Sequence, residues 1–142
     1  MNCRKLTVED MTALEALQSA YKREIGEEEP TGADLERLCE AIRRGDILFF
    51  GCFAEGALIA CCSVSPTFST FDYRRGGVFE DFYVVPAYRH RGAARKLVER
   101  AVRDSGVSSL TVGCADCDLE LYRALGFTIP LGNLLAYGNS GE

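Results

Sequence analysis

Apolar positions recur first at helical spacing, then in short uninterrupted runs, then at helical spacing again. Met11, Leu14, Leu17 and Tyr21 stand three or four residues apart, which predicts a helix. Thr7-Val8-Glu9-Asp10 in front of them has the form of a loose capping box. The acidic run Glu27-Glu28-Glu29-Pro30 closes that unit. Leu35, Leu38, Cys39 and Ile42 predict a second helix from about Ala33 to Arg44, with Gly45 suited to its C-terminal cap. Ile47–Ala54 and Ala57–Val64 are β-rich apolar runs joined at Glu55-Gly56, a hairpin signal. Ser65–Gly77 reads as a loop, and Val78–Val85 as a strand stopped by Pro86.

The second half continues the alternation. Ala93–Asp104 predicts a strong helix whose inward face is Ala94, Leu97, Val98, Ala101 and Val102, ended by Gly106. Leu110–Cys114 reads as a short buried strand. A short helix follows from about Cys117 to Leu125, with Asp116 in front and Gly126 behind. Thr128–Leu131 and Leu134–Tyr137 form a last predicted hairpin over Gly132-Asn133, and the tail 139–142 is expected to fray. This order predicts a mixed α and β chain with one central sheet covered by helices. The strand-helix-strand unit Val78–Cys114 should be a right-handed crossover with parallel strands.

Composition narrows the classes. The chain has 142 residues, 47% apolar and 26% charged, an ordinary globular make-up that argues against disorder, collagen or a disulfide scaffold. Ile47–Ala54 is the longest apolar stretch, far short of the roughly 20 residues a membrane helix needs, so no membrane partner is expected. Met1-Asn2-Cys3-Arg4-Lys5-Leu6 has no apolar core behind its basic pair, so no leader is expected either. A net charge of −5 argues against nucleic acid as a partner. The seven cysteines are odd in number and scattered, which predicts buried thiols in a reducing cytoplasm. Cys114-Ala115-Asp116-Cys117 is a single C-x-x-C without two further ligands, so no metal is expected.

Charge is unevenly spread. Residues 1–46 hold 11 acidic and 7 basic side chains, whereas residues 74–103 hold 3 acidic and 8 basic ones. A basic segment in an acidic chain suggests a local anion site. The stretch Val84-Val85-Pro86-Ala87-Tyr88-Arg89-His90-Arg91-Gly92-Ala93-Ala94 ends a strand, turns, and starts a helix on small residues. Free N–H groups and the positive helix end would then face a ligand, as in phosphate sites. Charge-assisted hydrogen bonds of about 1.5–3 kcal/mol each would outweigh a dipole effect of about 0.3–1 kcal/mol. The bland alternative is an ordinary glycine at a helix start. No G-K-[ST] follows it and no G-x-G-x-x-G is present, so it is neither a P-loop nor a dinucleotide fingerprint.

Arg89-x-x-Gly92-x-Ala94 after Val84-x-Pro86 resembles the R/Q-x-x-G-x-G/A motif of the GNAT superfamily of N-acetyltransferases. Leu121-Tyr122-Arg123-Ala124-Leu125-Gly126-Phe127 resembles that superfamily's L-Y-x-x-x-G-F segment. The resemblance implies one acetyltransferase domain over residues 1–142. Its expected fold is an α/β (α+β) mixed, mostly antiparallel sheet of about six to seven strands flanked by about four helices. It further implies acetyl-CoA as donor and co-substrate, a small-molecule amine as acceptor, and a cytoplasmic homodimer. Carried over by position, the backbone of Arg91, Gly92, Ala93 and Ala94 would hold the pyrophosphate, with Arg89 and His90 beside it. Phe82, Tyr83 and Val84 would pair with the pantetheine arm, and Tyr122 would be the general acid. Phe68-Ser69-Thr70-Phe71 and Glu80-Asp81-Phe82-Tyr83-Val84 further resemble the diamine (spermidine/spermine) acetyltransferase branch. Many relatives carry asparagine and alanine where this chain has Ala115 and Asp118, so donor contacts through that asparagine have no counterpart here.

Amine attack requires the neutral base, present about once in 2,500 molecules at pH 7 for a pKa near 10.4. Glu80 and Asp81 can supply a proton acceptor. Strict alternation would send them to opposite faces, with Glu80 beside Phe82 and Val84. Glu80 is then favoured as base, through water, and Asp81 as a second acidic contact. The alternative is a pair of edge charges making salt bridges. For Tyr122 the alternative is simple packing with Leu121 and Leu125. The acidic first third, with Glu24, Glu27, Glu28, Glu29 and Glu36, can attract a cationic small amine, and the alternative is a solvated acidic helix end. Other amines, amino acids, protein amino groups and a non-catalytic acyl-CoA sensor remain the competing readings.

Overall fold

The computed structural model describes residues 1–138, and the tail at 139–142 expected to fray lies outside them. The chain begins with β1 (Asn2–Lys5), a 3-10 turn (Val8–Asp10), α1 (Met11–Glu24) and α2 (Gly32–Arg44). The β2 (Leu48–Ala54), β3 (Ala57–Ser69) and β4 (Arg74–Val84) strands follow, then a 3-10 turn (Pro86–Tyr88), α3 (Ala93–Asp104) and β5 (Ser109–Thr111). A last 3-10 turn (Asp116–Asp118) leads into α4 (Leu119–Ala124). The sheet runs in chain order, antiparallel from β1 to β4 and parallel between β4 and β5. The mixed class and the parallel crossover pair are therefore as expected.

Local chemistry explains the well-defined ends. Thr7 and Asp10 form a reciprocal cap, with the Asp10 carboxylate accepting the Thr7 N–H at 2.8 Å. Thr31 and Asp34 repeat the device at α2, and Gly45 ends that helix with φ 77°. Glu55 and Gly56 both take positive φ, the geometry of the tight turn favoured between antiparallel strands. Two apolar layers enclose the sheet. Leu6, Leu14, Leu17, Phe49, Cys61 and Tyr83 pack on the α1 and α2 side. Phe50, Val64, Phe79, Leu97 and Ala101 pack on the α3 side, joined by Tyr122 and Phe127.

Four expectations need correction. The sheet has five strands among the described residues, not six or seven, because no strand forms in 128–138. Ile129, Leu131, Leu134, Leu135 and Tyr137 are exposed there, and the predicted hairpin over Gly132-Asn133 is absent. The segment read as a loop at Ser65–Gly77 mostly extends the β3–β4 hairpin, turning only at 70–73. Its polar and glycine positions run beyond the core, where no apolar alternation is needed. Val102 is half exposed and Ala93 buried, so the inward face of α3 is rotated slightly from the predicted one. Finally, Cys3 and Cys52 are register partners across β1 and β2 and form a disulfide, Cα–Cα 4.0 Å, where free thiols were expected. Cys61 and Cys62 are buried thiols as expected, whereas Cys114 and Cys117 are exposed.

The β4–β5 contact is short and tightly fitted. It pairs Gly76, Gly77 and Val78 with Ser109, Leu110 and Thr111. A Cβ on Gly77 would come within 2.6 Å of Val64 Cγ1 and 3.3 Å of Leu110 Cδ1. Gly77→Ala should therefore lower the unfolding free energy by about 1–3 kcal/mol, read by urea titration.

Candidate active site

After Val78 and Thr111 the parallel pairing stops, although β4 runs on to Val84. Among the described residues its outer backbone edge is left free over the residues expected to meet a pantetheine chain, Phe82, Tyr83 and Val84. The free edge leads into the helix start. Val85 still pairs with β3 through its N–H to the Ile59 carbonyl at 2.9 Å, and Pro86 opens the turn. His90 (φ 64°) and Gly92 (φ 85°) are both left-handed. The first backbone bond of α3 runs from Lys96 N–H to Gly92 O at 3.3 Å, and no side chain among the described residues caps the helix. The amides of Ala93, Ala94 and Arg95 thus have no intrahelical acceptor. A Cβ on Gly92 would meet no atom within 4 Å, so the space around it is open. His90 and Arg91 are exposed around the turn. Uncapped amides, an open approach and a positive helix end suit an anion.

Arg89 is spent differently from its neighbours. Its Nε donates to the Val84 carbonyl at 2.9 Å, its Nη2 to Glu24 at 2.6 Å, and its guanidinium lies 5.6 Å from the Tyr83 ring centre. It ties the end of β4 to α1. Arg91 instead covers the Tyr88 ring at 5.5 Å.

A bulge decides where the carboxylates lie. Cys61 pairs with Tyr83 but Ser63 pairs with Glu80, so Asp81 and Phe82 together face Cys62. Asp81 takes φ 55°. The inserted residue breaks alternation, which overturns the expectation of opposite faces. Ser63 and its partner Glu80 lie on the α1 and α2 side, and Asp81 lines a cavity there with Gln18 and Phe49. Phe82 and Val84 lie on the α3 side. Glu80 therefore shares its face with Asp81, not with Phe82 and Val84. Ser63 Oγ donates to Asp81 Oδ2 at 2.7 Å, and the Cys61 thiol sits 3.6 Å from the Asp81 carbonyl. Burial first, and then the Asp81 charge, raise the Cys61 thiol above its usual range, so it keeps its proton. The bulge is thus held from both sides.

Tyr122 stands on the other face. Gly126, at φ 110°, turns the chain so that Phe127 N–H reaches the Tyr122 carbonyl at 3.0 Å. That reversal sets the Phe127 ring 6.0 Å from Tyr122, which also meets Phe79 at 6.4 Å and Phe82 at 6.3 Å, all edge-on. Arg95 steadies α4 by donating to the Ala124 carbonyl at 2.8 Å. Burial among these rings pushes the Tyr122 hydroxyl up to about 12, helped by Tyr21, Asp118 and Cys114. Burial thus favours the protonated hydroxyl.

Three residues near the site were missed by sequence reasoning. Tyr21 packs edge-on to Tyr83 at 6.3 Å, and its hydroxyl is raised by burial, then by Asp81. Ser63 was hidden inside an apolar run, where a buried hydroxyl was the available signal. Gln18 breaks the apolar face of α1 between Leu17 and Tyr21, and that irregularity was likewise visible.

Comparison with known proteins bears on the fold and the family. A family model for the acetyltransferase (GNAT) family matches residues 11–127. No curated protein matches the sequence. The crystal structure of a probable acetyltransferase is similar with TM-score 0.85 and 20% identity, over 99% of this chain and 100% of that one. An aminoglycoside acetyltransferase from an uncultured soil metagenomic sample, solved with sisomicin, is similar with TM-score 0.83 and 14% identity, over 97% and 95% of the two chains. A predicted acetyltransferase from Clostridium acetobutylicum, solved with acetyl-CoA, gives TM-score 0.77 and 16% identity over 96% and 95%. At these identities the likeness is one of fold.

Proposed function

The chain belongs to the acetyltransferase (GNAT) family, and from that premise we propose that residues 1–142 act as one acetyltransferase domain. It moves an acetyl group from acetyl-CoA to the amine of a small cationic acceptor, by direct attack while both substrates are bound. The observation that carries this reading is the free edge of β4 running straight into the uncapped start of α3. The backbone of Arg91, Gly92, Ala93 and Ala94 would grip the pyrophosphate. The edge over Phe82, Tyr83 and Val84 would pair with the pantetheine amides, and one edge N–H would polarise the thioester carbonyl. His90 stands beside the anion, while Arg89 braces the strand end from which the turn departs.

The bulge supports a division of labour across the β4 edge. Glu80 and Asp81 share the acceptor face, so both can meet the incoming amine. Holding an ammonium of pKa near 10.4 neutral at pH 7 costs about 4.6 kcal/mol, and a nearby carboxylate that takes the proton lowers that cost. Glu80, exposed and free to act through water, is the base. Asp81, fixed by Ser63, orients the ammonium. On the other face Tyr122 meets the departing thiolate. A thiol near pKa 8.5 leaves full proton transfer from a hydroxyl near 12 uphill by roughly 5 kcal/mol. Tyr122 therefore acts chiefly by hydrogen-bonding the thiolate. The charge class of the acceptor follows from these carboxylates and from the short resemblance to diamine acetyltransferases.

Gly92→Glu should abolish acetyl-CoA binding in calorimetry and leave the circular dichroism spectrum intact. Unchanged binding would remove the cradle from the account. Tyr122→Phe should lower kcat by about 10–1,000-fold with little change in donor affinity, and wild-type turnover would refute its role. Glu80→Gln should move the pH–kcat/KM profile toward alkaline pH, because only pre-formed neutral amine would then react. An unmoved profile would assign the base elsewhere.

A further inference from the structure

Segment 128–138 and the β5 side of the sheet are both left without partners. Every residue of the segment is exposed, none lies in a helix or strand, and none is charged. Its large apolar side chains, Ile129, Leu131, Leu134, Leu135 and Tyr137, stand 76–90% exposed. So many on one short stretch form a patch of the kind that marks an interaction site. β5 is the outer strand of the sheet, and among the described residues its far edge pairs with nothing. The opposite edge strand, β1, carries Arg4 and Lys5, charges of the kind that discourage strand addition, whereas residues 107–113 carry none. Beside β5 lies a cavity of about 410 Å3 whose walls include Val98, Val102, Val107, Leu110, Leu125 and Phe127, and no residue of 128–138 lines it. Val102, which helical spacing assigns to the inward face of α3, is 50% exposed there.

The chain thus carries an apolar segment of strand length and, separately, an unguarded edge with an apolar cavity beside it. Within one chain the two do not meet. Phe127, the residue before the segment, is itself a wall of the cavity. The segment then passes Gly113, beyond the end of β5, where Leu134 Cδ2 lies 2.9 Å from the place a Cβ would take. Two copies can meet both needs by exchange, each laying its segment along the other's β5 edge in a closed two-fold contact. Side chains of this size offer on the order of 150 Å2 each, so the five supply roughly 750 Å2 per chain, close to the ~800 Å2 per partner of a stable interface. We propose that the chain forms a dimer closed by exchange of segment 128–138. Residues 134–137 add to the β5 edge of the second copy, and their apolar side chains enter the cavity beside its Val102. Phe127 also stands against Tyr122 at 6.0 Å, so the incoming segment backs the aromatic face around Tyr122.

Sedimentation equilibrium of the intact chain tests this, with a thiol reductant present so that the exposed Cys114 and Cys117 form no cross-link. The wild type should show twice the mass of one chain. Leu134→Glu with Leu135→Glu puts charge on the segment, and Val102→Glu puts charge in the cavity. Each variant should raise the dimer Kd by about a hundredfold or more, with the circular dichroism spectrum unchanged. The two variants are then mixed. The Val102→Glu chain keeps an intact segment and the double variant keeps an intact groove, so one working contact returns. The mixture should dimerise more tightly than either variant alone and more weakly than the wild type. Leu134→Ser with Leu135→Ser, and Val102→Ser, repeat the comparison without charge if a glutamate variant loses its spectrum. A wild type with the mass of a single chain would overturn the inference, since the segment would then lie on its own chain or on another protein. A dimer that neither variant weakens would also overturn it. So would a mixture no tighter than its components, the result expected if the two segments packed only on each other.

Discussion

Between Val78 and Val84, β4 has β3 on one side and an open backbone edge on the other. A sheet edge of this kind is normally a hazard, because its unpaired N–H and C=O groups attract other strands. Here the exposure is confined to the second half of a strand whose first half is closed by three parallel pairs with β5. Gly76 and Gly77 let β5 approach closely at that point, and Val107 and Leu110 fill the space a side chain would take. The strand is anchored where it pairs and open where it does not. An extended thioester needs that shape, because its amide-rich arm can complete the hydrogen bonds that the sheet leaves unmade.

The bulge at Asp81 converts this open edge into a two-sided site. An unbroken strand would have split Glu80 from Asp81 and set one of them among Phe79, Tyr122 and Phe127. An ionised carboxylate against those rings would be desolvated and driven toward its protonated form. By inserting one residue opposite Cys62, the strand turns both carboxylates toward α1 and α2 and keeps the aromatic face apolar. The proposed acid and base are thereby held in different surroundings. Burial keeps Tyr122 protonated, while Glu80 stays exposed to water. Separating the two environments is what would let one strand serve the proposed proton removal on one face and thiolate stabilisation on the other.

The parts of this arrangement that were legible in the sequence are those fixed by neighbours in the chain. Gly92 at the start of α3 and Gly126 behind α4 act through bonds spanning a few residues, so their positions announced the turns. The caps at Thr7 and Thr31 and the hairpin at Glu55-Gly56 are local in the same sense. The bulge is different: it arises from the register of β3 against β4, with Ser63 and Cys61 holding Asp81 in place, and alternation along β4 alone gives no hint of it. The Cys3–Cys52 bond depends on a four-residue edge strand in which Cys3 alone is buried, too short to produce a period. The apolar residues of 128–138 misled for a related reason. Gly132-Asn133 suits a turn, but a hairpin also needs flanking strands, and none forms there.

Gln18 shows how a polar interruption in an apolar stripe carries information. Most such interruptions are absorbed by a partner inside the fold, as Ser63 is by Asp81. Gln18 Nε2 is not, so folding alone leaves an amide dried without return, at a cost of about 1–3 kcal/mol. That cost falls on the free protein.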